Sequence, residues 1–414
     1  MTAAKIVYVP VESGCGQEVS TVSVFDTFEA TAVSREEWDQ FVLEVGGDLY
    51  VTYDWCRIWW RYYGKNRLLR LYVFRNGRRL VGLAPIFIER IRLGPVSIKI
   101  AKRVGADFAL TIFSLPLASD HIEAAYHQLL TKLIRDEKCD AVSLSFMPGN
   151  DPTIVGLRHT CESLSGIVTV VRDTPGGPHT VFRLPDTFEK YLSTLTKRQR
   201  QNYRRDINLL HKNFDVRADS LKDSSQVLAA FASMKLLHDQ QWSAEGKLGH
   251  FGDWTSAEEF NAELVRELSS LGRVRIVRLF ANEKLVSSQY AFIFDDCCYW
   301  RLPARAVDQD LVRYGLGRLG LMQLIQEMIH EGMRRIEAGV GHYDYKVQLG
   351  GEELQVRSFL VAAERPATKL RVWIFLNFSL FLHLVYYRLW FIRLAPRLPL
   401  PRASLWRIWV RSRL

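Results

Sequence analysis

The stretch 69–88, LRLYVFRNGRRLVGLAPIFI, returns in pattern 205 residues later as VRIVRLFANEKLVSSQYAFI (274–293). Leu71 falls on Ile276, Phe74 on Leu279, Leu80–Val81 on Leu285–Val286, and Phe87–Ile88 on Phe292–Ile293. A short polar break, RNGRR or ANEK, divides each copy into two apolar runs. Two such runs joined by turn residues predict a β-hairpin, and Asn76-Gly77 is a strong hairpin signal because both residues tolerate positive φ. A repeat at about half the chain length suggests two tandem domains of one design.

The order of elements after each hairpin agrees. In the first half an amphipathic helix, HIEAAYHQLLTKLIRDE (121–137), precedes a strand, DAVSLSF (140–146). In the second, the strand CCYWRLPARA leads to the helix RLGLMQLIQEMIHEG (318–332) and the strand RRIEAGV (334–340). Hairpin, strand, helix, strand is an α+β layout with a mixed sheet. We expect a short helix-rich region, 187–213 and 224–242, to join the halves, and the TPGGP turn at 174–178 to mark the seam. The expected boundaries are an extension 1–29, domains 30–175 and 176–364, and a tail 365–414.

The formal charge of +10 suggests a nucleic-acid binder until it is mapped. From Arg365 onward there are ten Lys/Arg and no Asp/Glu, and the remainder carries 45 of each sign. The charge belongs to a tail, so no DNA partner is expected. None of the six cysteines forms a C-x-x-C pair, and Cys297 and Cys298 point to opposite faces if they lie on a strand. Buried or free thiols are expected, with no metal. The first residues are too short an apolar run, and too broken by proline, for a signal peptide, which points to the cytoplasm.

Three glycines, Gly315, Gly317 and Gly320, stand at the mouth of the second-copy helix in RYGLGRLG. A helix N-terminus presents unpaired N–H groups and partial positive charge, and glycine lets a phosphate approach them. The alternative is a tight turn with close packing. The first copy has LPLASDHIEAAY at that place, with Asp120 where a phosphate would need to sit, so only the second domain is expected to hold an anionic ligand. Glu337, His342, Tyr343, Asp344 and Lys346 cluster in EAGVGHYDYK, a Gly-flanked loop after a strand. His342 suits proton transfer near neutral pH, Tyr343 and Tyr345 proton donation, and Lys346 an oxyanion or acidic substrate. The plain alternatives are a strand-edge carboxylate, a loop hydrogen bond and a solvated charge. The helix around TKRQRQNYRRDINLL places Lys197, Arg200 and Arg204 on one face, with Arg198 and Arg205 beside them: a basic wall for an anion, or a solvated face. Trp242 and GHFGDW (249–254) supply aromatic surface for a sugar, or core.

The basic helix, the loop-helix DQDLVRYGLGRLGLMQLI and GVGHYDYKVQLGGEE, in this element order, resemble the GNAT acyltransferases. The likeness spans roughly residues 30–364 and is strongest for tandem GNAT proteins of the cellulose-biosynthesis (CelD-like) group, with a more distant similarity to Fem-type peptidyltransferases. It implies two GNAT-like domains, the first degenerate, and acetyl-CoA or another acyl-CoA as donor. The donor's pyrophosphate would be held at Arg313, Tyr314, Gly315, Leu316 and Gly317. Val312 stands where family loops carry Gln or Arg. The implied activity is transfer of an acyl group to an amine or hydroxyl of a polysaccharide or lipid-linked sugar. Fem-type relatives use aminoacyl-tRNA and imply a role for the Lys at 346. A third reading is a non-catalytic adaptor in a membrane polysaccharide synthase complex.

In the tail, VWIFLNFSLFLHLVYY (372–387) is short for a span and holds Asn377, Ser379 and His383. Its Trp, Tyr and Arg suit the lipid interface. A peripheral anchor on the anionic inner face of the membrane is expected; packing back on the protein and a true span are the alternatives.

Overall fold

The computed structural model describes residues 19–108, 111–246, 249–252, 255–398 and 405–413. Its first stretch runs β1 (Thr21–Phe25), α1 (Arg35–Glu44), α2 (Tyr53–Tyr63), β2 (Leu68–Asn76), β3 (Arg79–Leu93), β4 (Val96–Arg103), α3 (Ile122–Thr131), β5 (Ala141–Ser143), β6 (Met147–Pro148), α4 (Thr153–Ser163) and β7 (Val168–Arg183). Next come α5 (Phe188–Thr194), α6 (Lys197–Asn213), β8 (Val216–Leu221), α7 (Ser224–Ala244), α8 (Ala257–Ser269), β9 (Val274–Ala281), β10 (Lys284–Phe294) and β11 (Cys297–Arg305). The last stretch is α9 (Gln309–Val312), α10 (Leu316–His330), β12 (Arg335–Val340), α11 (Asp344–Gln348), β13 (Glu352–Ala363), α12 (Pro366–Phe381) and α13 (Trp406–Ser412).

Two compact units result. One holds the described residues up to Gly176 and from Gln355 onward, the other Gly177–Leu354. The first orders its strands β1-β2-β3-β4-β5-β13, and the second β8-β9-β10-β11-β12-β7. Each is a strand, a helix pair, an antiparallel three-strand meander, a crossover helix and a parallel strand (β4 with β5, β11 with β12). The sixth strand of each comes from elsewhere in the chain. β13 returns to the first unit after the second is complete, and residues 179–183 of β7 edge the second. Thus 355–364 pack with the first unit, although they follow the second in sequence.

Local details differ from the sequence expectation. The TPGGP stretch is extended strand inside β7, not a turn. The regions 187–213 and 224–242 are integral to the second unit. The first hairpin turns on Gly77-Arg78 rather than Asn76-Gly77, since Asn76 pairs with Arg79 and only Gly77 of the two takes positive φ, +58°. The second turns on Asn282 and Glu283, both left-handed.

The core of the second unit explains why its crossover helix forms where it does. Leu321, Leu324, Ile325 and Met328 recur at helical spacing and bury one face of α10 against Val277, Ala291, Ile293 and Cys298 of the sheet. Each such side chain contributes roughly 1.5–3 kcal/mol. Cys56, Cys139, Cys161, Cys297 and Cys298 are buried thiols, and Cys15 lies outside the described residues.

Candidate functional site

The parallel strands β11 and β12 pair only from Cys297–Arg335 to Tyr299–Glu337. Beyond that they part. β11 stays with β10 through a bulge that leaves Arg301 without a ladder partner (Trp300 pairs Ala291, Leu302 pairs Tyr290). β12 bends at Gly339, φ +80°, and rejoins β7 at Val340–His179. The result is a wedge between two strand ends, with exposed backbone groups that the sheet no longer pairs.

Lys346 fills the vertex of the wedge. It comes from α11, is only 5% exposed, and donates from Nζ to Ala338 O at 2.5 Å, the first residue of β12 past the pairing. Its ammonium lies 5.3 Å from the Trp300 ring centroid and 4.5 Å from that of Tyr343. Burial pushes its pKa down to about 8. The solvated-charge alternative for Lys346 therefore fails. Gly341 is required beside it: at φ +112° a Cβ would lie 2.9 Å from the Tyr343 ring.

The three glycines divide their work. Gly315 is the N-cap of α10 at φ +64° and accepts from the N–H groups of Arg318 and Leu319. Gly317 opens onto a cavity of about 390 Å³, where a Cβ would meet only Arg305 Cδ at 3.5 Å. Gly320 is a packing glycine, its Cβ position 2.1 Å from Ser287 Oγ. Trp300, Arg305, Leu316 and Tyr345 also line the cavity, so the helix mouth shares it with the β11 side of the wedge. A helix N-terminus and an open Gly317 fit the phosphate end of a CoA-like donor, while the nearby arginines already have partners, Arg305 with Glu245 and Arg318 with Asp206; the splayed strands fit its extended arm.

Other loop residues hold the corner. Tyr314 is fully buried, edge-on to Phe214 at 5.4 Å. Arg313 lies exposed over the Tyr314 ring, with Nη2 donating to its hydroxyl at 2.8 Å. Val312 is 61% exposed. Sequence reasoning missed Asp206, a buried carboxylate on the basic helix. It accepts from Arg318 at 2.6 Å and from Arg205 at 2.9 Å, and its Oδ2 lies 3.2 Å from the Cβ position of Gly315. A capping box of Thr196 and Gln199 starts that helix. Arg200 spends its donors on the carbonyls of Leu195 and Ser193 at the end of α5 and does not line the cavity. Lys197 and Arg204 remain exposed. Trp242 is half-buried against His238 and His250, which are themselves in contact (Nε2 to Nδ1, 3.3 Å). Burial lowers both histidines, His250 to about 3. Trp254 lies outside the described residues.

Glu337 is the last paired residue of β12. Ile336 and Ala338 bury toward α10, so Glu337 faces the opposite side of the sheet. There its Oε2 is 3.3 Å from Nδ1 of His179, a buried histidine that sequence reasoning did not single out. Its only sequence signal was a His directly after Gly-Gly-Pro. His342 is exposed and held on both sides, by Glu353 at 2.6 Å and Asp344 at 3.0 Å. The Glu353 hydrogen bond, then that of Asp344, raise its pKa, because both carboxylates favour the protonated ring. Tyr343 is 48% exposed at the rim.

The first unit closes the equivalent wedge. β4 and β5 part after Lys102–Ser143, and the fully buried Arg103 donates across the gap to Ser145 O and to Phe113 O. At its helix mouth Asp120 pairs with His121 at 2.8 Å and Arg79 at 3.5 Å, beside a cavity walled by Glu44, Asp48 and Asp151. That corner repels an anion.

Residues 197–347, about a third of the chain, match the acetyltransferase (GNAT) domain family. No curated protein matches the sequence. Among solved structures, that of FemX shares 10% identity, covers 80% of this chain and 96% of its own, and has a TM-score of 0.56. L-PGS from Bacillus licheniformis shares 12% over 84% of this chain and 96% of its own, TM-score 0.46. A tandem GNAT protein from the clavulanic acid biosynthesis pathway shares 13% over 83% and 99%, TM-score 0.39. The chain therefore has a mixed α+β, GNAT-like fold built twice, with a GNAT acetyltransferase domain in its second half.

Proposed function

We propose that the second unit is an acyltransferase that moves an acyl group from acyl-CoA, acetyl-CoA first among them, to an amine or hydroxyl of a saccharide or lipid-linked sugar. One observation carries this reading: the helix mouth and the β11 edge of the strand wedge open into one cavity, and a buried lysine sits at the vertex of the wedge. Acyl-CoA would supply the activated thioester. Gly315, Leu316 and Gly317 would receive its phosphates with Arg305, and the unpaired edge of β11 its amide arm. Lys346 stabilises negative charge developing at the carbonyl and, with a pKa near 8, holds a proton that a leaving thiolate can take. Glu337, with His179 behind it, accepts the proton of the attacking group. Lys197 and Arg204 suit an anionic acceptor such as a lipid-linked sugar phosphate.

Asp206 favours a second reading. A carboxylate at the helix mouth, already engaging Arg318, weakens the cradle for a pyrophosphate, which suits a Fem-type aminoacyl-tRNA donor instead. Following free thiol with acetyl-CoA and a panel of amino sugars and lipid-linked sugars tests the first reading. Saturable, acceptor-dependent thiol release that Glu337→Gln suppresses supports it. No release, with transfer from charged tRNA, supports the second; neither activity leaves the adaptor.

A further inference from the structure

The tail helix continues from α12 as a π-helical segment, Leu382–Leu394, giving 29 residues from Pro366. Its two long faces are both apolar, but only one is covered. Thr368, Val372, Phe375, Leu382 and Tyr386 are buried against the first unit, Val372 and Phe375 in a cluster with Ile98, Ile100 and Leu360. On the opposite face Leu370, Trp373, Leu380, Phe381, Leu384 and Leu389 are each 45–62% exposed. Asn377, on that same face, turns its amide inward to Trp373 O at 2.8 Å, so it does not interrupt the apolar stripe.

Both ends of the tail are pinned to the same unit. Arg371 pairs with Asp140 at 2.8 Å, and Thr368 Oγ1 reaches that carboxylate at 3.2 Å. At the far end Arg411 pairs with the buried Glu89 at 2.9 Å and accepts from Lys102 Nζ through its carbonyl at 2.6 Å. Between them Trp409 stacks on Tyr387 at 4.2 Å. A helix fastened along one face and at both ends cannot stand upright across a bilayer without abandoning these contacts. The exposed face is fringed by Arg388, Arg393, Arg397 and Arg407, exposed and without an ion pair among the described residues. No acidic residue lies beyond Glu364.

We propose that this face lies flat on an anionic lipid surface, its apolar side chains among the upper acyl chains and the four arginines on headgroup phosphates. An amphipathic surface with one-sided positive charge is what such a membrane complements; a second copy of the same face would set arginine against arginine. The inference is independent of the transfer chemistry.

The test is co-sedimentation of the full chain with phosphatidylglycerol-containing and pure phosphatidylcholine vesicles. Binding to the anionic vesicles should weaken in high salt, and each of Arg388→Gln, Arg393→Gln and Arg397→Gln should lower it by about fivefold. Leu384→Asp should abolish it while circular dichroism stays unchanged. An environment-sensitive label at Leu384→Cys should report the depth of the upper acyl chains, just below the headgroups. Equal binding to neutral vesicles, or none to either, overturns the proposal. So does a label at the bilayer centre that resists salt, or a salt-stable dimer that Leu384→Asp dissociates; the last would show that a second copy covers the face. If a variant misfolds, the salt dependence of the unmodified chain still decides.

Discussion

Lys346→Met separates the site from the scaffold. Methionine keeps the length and apolar stem of lysine, so the packing on Trp300 and Tyr343 survives. What it removes is a charge whose burial lowers the pKa from 10.5 to about 8. The sign follows from linkage. Between those two values the unfolded chain binds the proton more tightly than the folded one, so folding improves as pH rises from 8 to 10.5. Below pH 8 the whole penalty, about 3 kcal/mol, weighs on the folded protein. The variant escapes that penalty but leaves the Ala338 carbonyl unbonded, at a cost of about 1–2 kcal/mol. At pH 7 the variant should melt at or above the temperature of the parent, and by pH 10 it should melt below it, a relative swing of about 2–3 kcal/mol. Transfer activity should fall by about 10²–10³ at pH 7 and by less above pH 8, where the parent lysine has itself lost its proton. Paired thermal melts at pH 7, 8.5 and 10 check this. A stability difference that does not change with pH would refute the buried, depressed ammonium, and with it the role given to Lys346.

Gly320→Ala should destabilise by roughly 1–3 kcal/mol, because its methyl meets Ser287 Oγ, without changing donor affinity in the folded fraction; denaturation and donor titration separate the two. Glu353→Gln should bring the His342 pKa down toward its ordinary value, since Glu353 is the main cause of its rise; NMR titration of the ring reads it. Burial pushes Glu89 up, but Lys102, Arg67 and Arg411 outweigh it and hold it at about 2. Its contribution is therefore present above the ordinary carboxylate pKa and lost as pH falls through 2. Glu89→Gln strands Lys102 and Arg411 and leaves Arg67 to Asp107 alone; it should cost about 3–5 kcal/mol, and should speed tryptic cleavage at Arg407 and Arg411.

The duplicated layout was legible because it is written in local patterns. Hairpin runs, the amphipathic face of α10 and the parallel strand after it each declare themselves within 20 residues. The glycine motif was legible as a helix mouth, but not in its division of labour: whether Gly317 or Gly320 faces open space depends on Ser287 and Arg305, strands away. The cluster at 337–346 was legible as a run of ionisable and phenolic residues, but not the direction each side chain takes. His342 suited a base by type, and the two carboxylates that grip it raise its pKa; Lys346 was unremarkable by type, and its depth in the wedge is set by contacts outside the motif. Asp206 and His179 escaped notice because their partners, Arg318 and Glu337, lie more than a hundred residues away. The sixth strand of each unit escaped for the same reason.

Calorimetric titration of acetyl-CoA into the chain and into Gly317→Asp tests the account most directly. The aspartate side chain has room, so the fold should hold while its charge occupies the phosphate position at the helix mouth. Saturable binding by the parent, weakened at least about tenfold in the variant, is the predicted result. Binding that the aspartate leaves untouched, or no binding by the parent at all, would contradict the cradle on which the proposed chemistry rests.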